Sequence, residues 1–318
     1  MQCFCCRLHL RAPPPIITRG NAEFERRTVT DDVKQNGRKL SRRRFLKWTV
    51  FGGVGVVAGG VVDAFLIEPW WPKVTHPVIA IPSLPPSWDG VRIAHLTDFH
   101  VGRFLDLDDV RGVIDTTLAE KPDLVVLTGD YVSRPEAITA EYGKLLATLE
   151  APLGVFAVLG NHDHWTDAPR VTEMLRAAGI RLLANTHVVL RRGTARLCLA
   201  GVADLWEDDP SVERALAGVD EGVPRVLLCH NPDYAEAMPA RPRVDVVFAG
   251  HTHGGQVKIP FGPRPRLPVK HKKYGSGLVE GPHCPVYVSR GIGMVGIPMR
   301  FNCRPEIPII TLRGATTK

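Results

Sequence analysis

The sequence predicts an α/β protein in which sheets are covered by helices. Two observations carry that expectation. After residue 90, short hydrophobic runs alternate with helix-length stretches, the pattern that lays helices on a sheet. Five of the hydrophobic runs also end alike. Val91 to Leu96 leads to Asp98-Phe99-His100, Leu124 to Leu127 leads to Gly129-Asp130, and Val155 to Leu159 leads to Gly160-Asn161-His162-Asp163. Val226 to Cys229 leads to His230-Asn231, and Val244 to Ala249 leads to Gly250-His251-Thr252-His253. Each time a strand closes and a carboxylate, an amide or an imidazole follows. In α/β sheets ligands gather at the carboxyl ends of strands, so five such endings imply a single site.

From the amino terminus, residues 1–40 are basic, hold Cys3, Cys5, Cys6 and Pro13-Pro14-Pro15, and show no periodicity. They are expected to be disordered, and the cysteine trio has only a weak likeness to a metal or lipidation cluster. Residues 41–71 read as a targeting or anchoring segment. Ser41-Arg42-Arg43-Arg44-Phe45-Leu46-Lys47 matches the twin-arginine export pattern, and an apolar stretch from Trp48 to Ile67 follows, interrupted by Asp63. That stretch is about as long as a bilayer span of roughly 20 residues, and Trp70 and Trp71 suit the interface. Val62-Asp63-Ala64 is a poor cleavage site. The segment is either a cleaved export signal or a retained anchor. Both readings make the twin-arginine translocase a partner and place the remainder outside the cytoplasmic membrane.

Residues 72–90, rich in proline, form a linker and a lead-in strand. Residues 91–318 form the main domain. Helix patterns at Leu107 to Glu120, Ala137 to Leu149 and Ala168 to Ala178 separate the first strands. The second half is strand-rich, at Arg181 to Leu190, Arg196 to Val202, Val226 to Cys229, Val244 to Ala249, Val286 to Ser289 and Ile307 to Leu312. Pro260 to Pro282 is a long loop carrying Lys270, His271, Lys272 and Lys273. It is either a wall of the site or a solvated basic loop.

Composition narrows the class. A chain of 318 residues, 44% hydrophobic, can bury one large domain. Its net charge of +7 is concentrated at the amino terminus, where residues 1–47 hold 12 Lys or Arg against 4 Asp or Glu, which leaves the remainder at −1. The high pI therefore belongs to the leading segment, and nucleic-acid binding is not expected. Cys198 and Cys229 lie in strand patterns and are expected to be buried, whereas Cys284 and Cys303 are candidates to pair in an oxidising compartment. Of the 12 His, His95 lies within the first strand and is expected to be a hydrogen-bonded core residue. His76, His187, His271 and His283 are expected in loops or at the surface.

The donors at the five strand ends are Asp, His and Asn, with no thiolate. Such a shell suits Mn²⁺, Fe or Zn²⁺ and disfavours a structural zinc site. Seven donors exceed one tetrahedral ion and suit two ions sharing a carboxylate, an arrangement that serves displacement at phosphorus.

In this order and spacing the five clusters resemble the calcineurin-like metallophosphoesterase superfamily, over roughly Val91 to Leu312. Gly250-His251-Thr252-His253-Gly254-Gly255-Gln256, Ser289-Arg290-Gly291-Ile292-Gly293 and Arg300-Phe301-Asn302-Cys303-Arg304-Pro305-Glu306 are similar to a bacterial subfamily of exported or membrane-anchored phosphodiesterases. The resemblance implies a four-layer αββα sandwich of two mixed β-sheets flanked by helices. It also implies that Asp98, His100 and His253 hold one metal ion, that Asn161, His230 and His251 hold a second, and that Asp130 bridges them. His162 would donate a proton to the leaving alkoxide, and Asp163 would orient it. One position departs. Many relatives read Gly-Asp-x-x-Asp-Arg at the second cluster, and here Ser133 stands where the second Asp would be, which bears on how Arg134 is held. Arg134 and His164 are the candidate substrate-binding residues. The expected activity is hydrolysis of a phosphate ester, with a lipid or cell-wall component among the candidate substrates. The alternatives are a UDP-2,3-diacylglucosamine pyrophosphatase of lipid A synthesis, and a membrane-associated binding module on the same fold.

Overall fold

The computed structural model describes residues 41–262 and 266–314. The disorder expected of residues 1–40 therefore lies outside the described residues. By its internal contacts the chain divides after Val50. Of the leading unit, the described residues are exposed and begin helix α1, Arg42–Val62, none of whose residues is buried. The helical run continues through a π turn, Asp63–Ile67, and a 3-10 turn, Glu68–Trp70. By length and composition, Arg42–Trp70 is sufficient to cross a membrane.

The unit from Phe51 onward holds two sheets. The first is built from β1 (Lys73–Thr75), β2 (Val78–Ile81), β3 (Arg92–Leu96), β4 (Leu124–Thr128), β5 (Val155–Val158), β6 (Arg181–Leu182) and β13 (Glu306–Gly314). Its order is β1-β13-β3-β4-β5-β6, with β2 also on β13, and β3 to β6 run parallel. Helices α2 (Leu107–Ala119), α3 (Ala140–Leu146) and α4 (Asn161–Ala177) connect them. The second sheet contains β7 (Thr186–Arg192), β8 (Ala195–Gly201), β9 (Arg225–Leu228), β10 (Val246–Ala249), β11 (Gly277–Glu280) and β12 (Pro285–Val288), in the order β11-β12-β10-β9-β8-β7. Short helices α5 (Val212–Ala215) and α6 (Tyr234–Ala237) lie between its strands in sequence.

Strand alternation sorts these side chains into three cores. Ile93, Phe156 and Val158 point from the first sheet toward Leu199, Val226, Leu228 and Phe248 of the second. Leu96, Val125 and Leu127 point the other way, onto Val110 and Ile114 of α2, Tyr142 and Leu146 of α3, and Val171 and Leu175 of α4. Cys198, Leu227 and Val247 meet Val212 and Tyr234 behind the second sheet. Three cores between four layers are the αββα sandwich that the sequence predicts.

Local signals explain most boundaries. Asp106 caps α2, accepting from the amides of Asp108 and Asp109. Two expectations need correction. Arg181 to Leu190 is not one strand. Arg181–Leu182 pairs with β5, after which Asn185, at φ 53°, turns the chain into the second sheet. The Asn185 side-chain oxygen holds the turn by accepting from the amides of Ala203 and Ser211. Period-two alternation marks a strand without naming its sheet, so the crossing left no signal. Helix α4 also begins at Asn161, well before Ala168. Its interior breaks at Asp167 (φ −174°, ψ 83°), and Asp167 caps the restart by accepting from the Arg170 amide. The helix pattern expected from Ala168 is that second segment; the first turn, with its polar ligands, has no apolar stripe to betray it.

Cys198, Cys229, Cys284 and Cys303 are buried and free, so Cys284 and Cys303 do not pair. His95 is a core residue, its Nε2 2.8 Å from the Thr128 hydroxyl, and burial lowers its pKa to about 3.

Candidate metal centre

Both sheets deliver their strand ends to one place. From the first come Asp98 and His100 after β3, Asp130 after β4, and Asn161 at the start of α4; from the second come His230 after β9 and His251 and His253 after β10. All seven are buried. Five of them, Asp98, His100, Asp130, His251 and His253, have φ between 50° and 69°. Left-handed backbone costs a non-glycine residue of order 1–3 kcal/mol and collects at functional sites. Glycines let the loops meet. A Cβ on Gly160 would stand 2.3 Å from Asp130 Oδ1, and one on Gly250 would stand 2.4 Å from Asp98 Oδ2.

The ligand atoms form three groups, each with its atoms within 4.8 Å of one another: Asp98, His100 and His253; Asp130, His230 and His251; and His100, Asp130 and His162. His100 Nε2 faces His253 Nε2 at 3.1 Å, and His251 Nδ1 faces His230 Nε2 at 3.1 Å. Asp130 Oδ2 stands between the groups, 3.4 Å from His100 Nε2 and 3.1 Å from His230 Nε2.

The far nitrogens are fixed by the surrounding protein. His230 Nδ1 donates to the Thr128 carbonyl at 2.7 Å and His251 Nε2 to the Pro268 carbonyl at 3.0 Å. A carbonyl can only accept, so the other nitrogen of each ring is the one turned to the centre, and it offers a lone pair there once an ion takes the place of the ring's second proton. His100 Nδ1 pairs with Ser133 Oγ at 3.1 Å. The residue that departs from the superfamily pattern thus supports a candidate ligand.

The donor set fits cations. Asn161 Oδ1 is buried and has no hydrogen-bond partner among the described residues, the condition expected of an oxygen donor whose partner is an ion. Charge agrees. Burial pushes Asp130 up, yet the neighbouring His230 and His100 outweigh it and hold the carboxyl below its ordinary range. Burial lowers His230, yet the Asp130 carboxylate raises it to about 10. Two buried carboxylates demand positive charge at this point.

The remaining expected residues separate. His162 borders the site, its amide donating to Asp130 Oδ1 at 2.9 Å and its ring set between His100 and Trp165, with centroids 4.6 and 4.7 Å away. Asp163 takes its hydrogen bonds, among the described residues, from the backbone amides of Asp130, Tyr131 and Gly160 at 2.8 to 2.9 Å, and none from the His162 ring. Burial first, then the Asp130 charge, pushes its pKa up to about 7 against those amides. Arg134 is exposed and lines a neighbouring hollow with Arg103, Phe104 and Glu136, away from the ligands. His164 is half-buried and does not line the cleft above them.

That cleft, about 540 Å³, is walled by Trp165, Trp206, Gln256, Arg266, Leu267 and Val295 over His162 and His251. The loop from Pro260 is therefore a wall in its stretch Arg266 to Pro268. Trp165 and Trp206 stack with centroids 6.2 Å apart, and Trp165 Nε1 donates to Glu207 at 2.6 Å. Neither tryptophan was a sequence candidate. For Trp165 the available signal is an apolar ring just after a ligand cluster, where no strand or helix stripe calls for one; Trp206 follows no such cluster.

Residues 91–255 match the family described as calcineurin-like phosphoesterase. The chain belongs to that family. The Bacillus subtilis (strain 168) protein named uncharacterized metallophosphoesterase YkuE is 33% identical over 285 residues, which are 87% of this chain and 99% of that one. Phosphodiesterase YaeI of Escherichia coli (strain K12) is 32% identical over 86% of this chain and 99% of its own length. A transmembrane protein with metallophosphoesterase domain from Danio rerio is 33% identical over 77% of this chain and 58% of its own. This calcineurin-like phosphoesterase is a metal-dependent phosphoester hydrolase, and its clustered His and Asp side chains are able to hold metal ions.

Proposed function

We propose that the enzyme holds two metal ions, Mn, Fe or Zn, and hydrolyses phosphodiesters and phosphomonoesters on the outer side of the cytoplasmic membrane. The observation that carries the two-ion reading is Asp130, whose one carboxylate oxygen approaches both His100 and His230. Asp98, His100 and His253 would hold one ion, and Asn161, His230 and His251 the other. When bound, such a pair supplies positive charge to the phosphoryl oxygens and an activated water.

The protein's own groups do the rest. Asp163 gathers three backbone amides and so fixes the loop that presents Asp130. His162 stands at the cleft floor to give a proton to the departing alkoxide. Burial lowers its pKa to about 4, and the negative charge of a bound phosphate acts in the opposite direction. For location, Arg42 and Arg43 would direct twin-arginine export, with α1 cleaved or kept as an anchor.

Metal analysis of the fully loaded chain, alongside turnover of bis(p-nitrophenyl) phosphate, tests the reading. Two ions per chain and a metal-dependent rate are expected; one tightly bound ion would sink it. Replacing Arg42 and Arg43 with Lys should hold the protein in the cytoplasm, and fractionation that finds it outside removes the export reading.

A further inference from the structure

The loops at the cleft mouth expose large apolar side chains that none of the described residues covers. Phe261 is fully exposed, and Ile259 and Ile297 are about half exposed (55% and 49%). Phe261 is also held at φ 58°, a strained position for a bulky residue that no described residue covers. These side chains belong to the loops that supply Gln256 and Val295 to the cleft wall. Gln256 joins the two loops, accepting from the Val295 amide at 2.6 Å and donating to its carbonyl at 3.0 Å.

The same loops are laced to the end of the apolar helix. The Phe301 amide donates to the Gln256 carbonyl, and the Lys258 amide to the Phe301 carbonyl, each at 2.8 Å. The Arg300 amide donates to the Ala64 carbonyl at 3.0 Å, and the buried Glu68 carboxylate accepts from the amides of Asn302 and Cys303. A bilayer's hydrocarbon takes roughly 20 helical residues at 1.5 Å each, which, counted from Trp48 where the apolar stretch begins, ends near Ile67, about one turn beyond Ala64. The Arg300 to Cys303 loop is thus tied to the two ends of the last turn of a span so counted, at Ala64 and Glu68. Trp70 and Trp71, both exposed, follow within two turns, as interfacial tryptophans do. Trp165 and Trp206, also in the cleft wall, stand against His162 and His251.

We propose that Ile259, Phe261 and Ile297 form a rim seated in the outer surface of the bilayer, and that the substrate is an amphiphilic phosphodiester in that leaflet. Its acyl or alkyl chains stay in the membrane while its phosphate enters the cleft across the rim. Water's oxygen then bonds to phosphorus, the bond to the leaving alcohol's oxygen breaks, and that oxygen takes a proton. This rests on the phosphodiesterase reading and on α1 as a retained anchor.

The test uses the full chain reconstituted in phospholipid vesicles and two substrates with one leaving group, ethyl and hexadecyl p-nitrophenyl phosphate. The hexadecyl ester should show a kcat/KM at least about tenfold higher, a modest share of what burying an alkyl chain can supply. The triple variant Ile259→Ser, Phe261→Ser, Ile297→Ser should abolish that preference and leave the ethyl rate unchanged, which also checks its folding. Equal kcat/KM for the two esters in the wild type, or a preference that survives the triple variant, overturns the proposal. So does a wild-type dimer in detergent that the triple variant loses while keeping the preference, since the rim would then belong to a second copy. Hydrolysis of neither ester breaks the phosphodiesterase reading and this inference with it, whereas hydrolysis without preference breaks only the inference.

Discussion

The two sheets bring different chemistry to the centre. The first contributes Asp98, Asp130 and Asn161 with one imidazole, His100; the second contributes imidazoles alone, His230, His251 and His253. The oxygen-rich half carries the negative charge and much of the strained backbone. The imidazole half carries no carboxylate; carbonyls orient His230 and His251, and one of those carbonyls, Thr128, lies in the opposite sheet. Neither half makes a complete shell. Each three-residue group that spans the seam pairs a carboxylate of the first sheet with imidazoles of the second. The centre therefore depends on the packing of Ile93, Phe156 and Val158 against Leu199, Val226 and Phe248 as much as on its ligands.

That division can be broken most severely at Asp130, the residue of the first sheet whose single carboxylate oxygen faces an imidazole of each half. Asp130→Ala should release both ions and lower activity by more than the 10²–10⁴-fold scale of a lost general acid; metal analysis that finds one ion retained would mean the halves are independent. His162→Ala comes next. It should keep both ions yet slow alkyl esters by about 10²–10⁴-fold, and slow p-nitrophenyl esters less, because that alcohol leaves without a proton. Equal slowing of both ester types, with metals intact, would remove the proton-donor assignment.

A smaller effect confined to the first half is expected at Ser133. Ser133→Ala strips the hydroxyl from His100 Nδ1 and should weaken one ion by about 10–100-fold, the usual scale for an outer partner of a ligand, while the other titrates as in the wild type. The smallest change in rate is expected at Asp163, which touches only backbone. Asp163→Asn turns an acceptor of three amides into a group that offers an N–H to at least one of them, at a cost of about 1–3 kcal/mol in stability. Urea unfolding should register the loss, and the ratio of alkyl to nitrophenyl rates should stay at its wild-type value. A shifted ratio would restore the expectation that Asp163 orients His162.

Several candidate site residues are legible in the sequence because each is marked locally. Asp98, Asp130, Asn161, His230 and His251 each follow a strand of four or five residues within a few positions, and glycines before Asp130, Asn161 and His251 signal the close approach those loops make. Adjacency to a ligand cluster says nothing about the direction of a side chain on an irregular loop, and Arg134 lines the hollow beside Phe104. Asp163 sits one residue after His162, yet as the third residue of α4 its carboxylate turns back to the Gly160 amide, in the manner of the acidic half of a capping box.

The sequence by itself determined the strands, the donor types at their ends and the apolar helix, because alternation, ligand chemistry and hydropathy are properties of a residue and its near neighbours. The tertiary structure alone decided that Ser133 supports His100, that Pro268 fixes His251 and that Trp165 stacks on Trp206. It also decided that the loop after Arg300 is tied to the end of the apolar helix through Ala64 and Glu68. Each of those pairs joins residues far apart in the chain. Ser133 reaches His100 because β3 and β4 lie side by side in the first sheet, and Trp165 reaches Trp206 because the chain crosses to the second sheet at Asn185; no local pattern encodes either event.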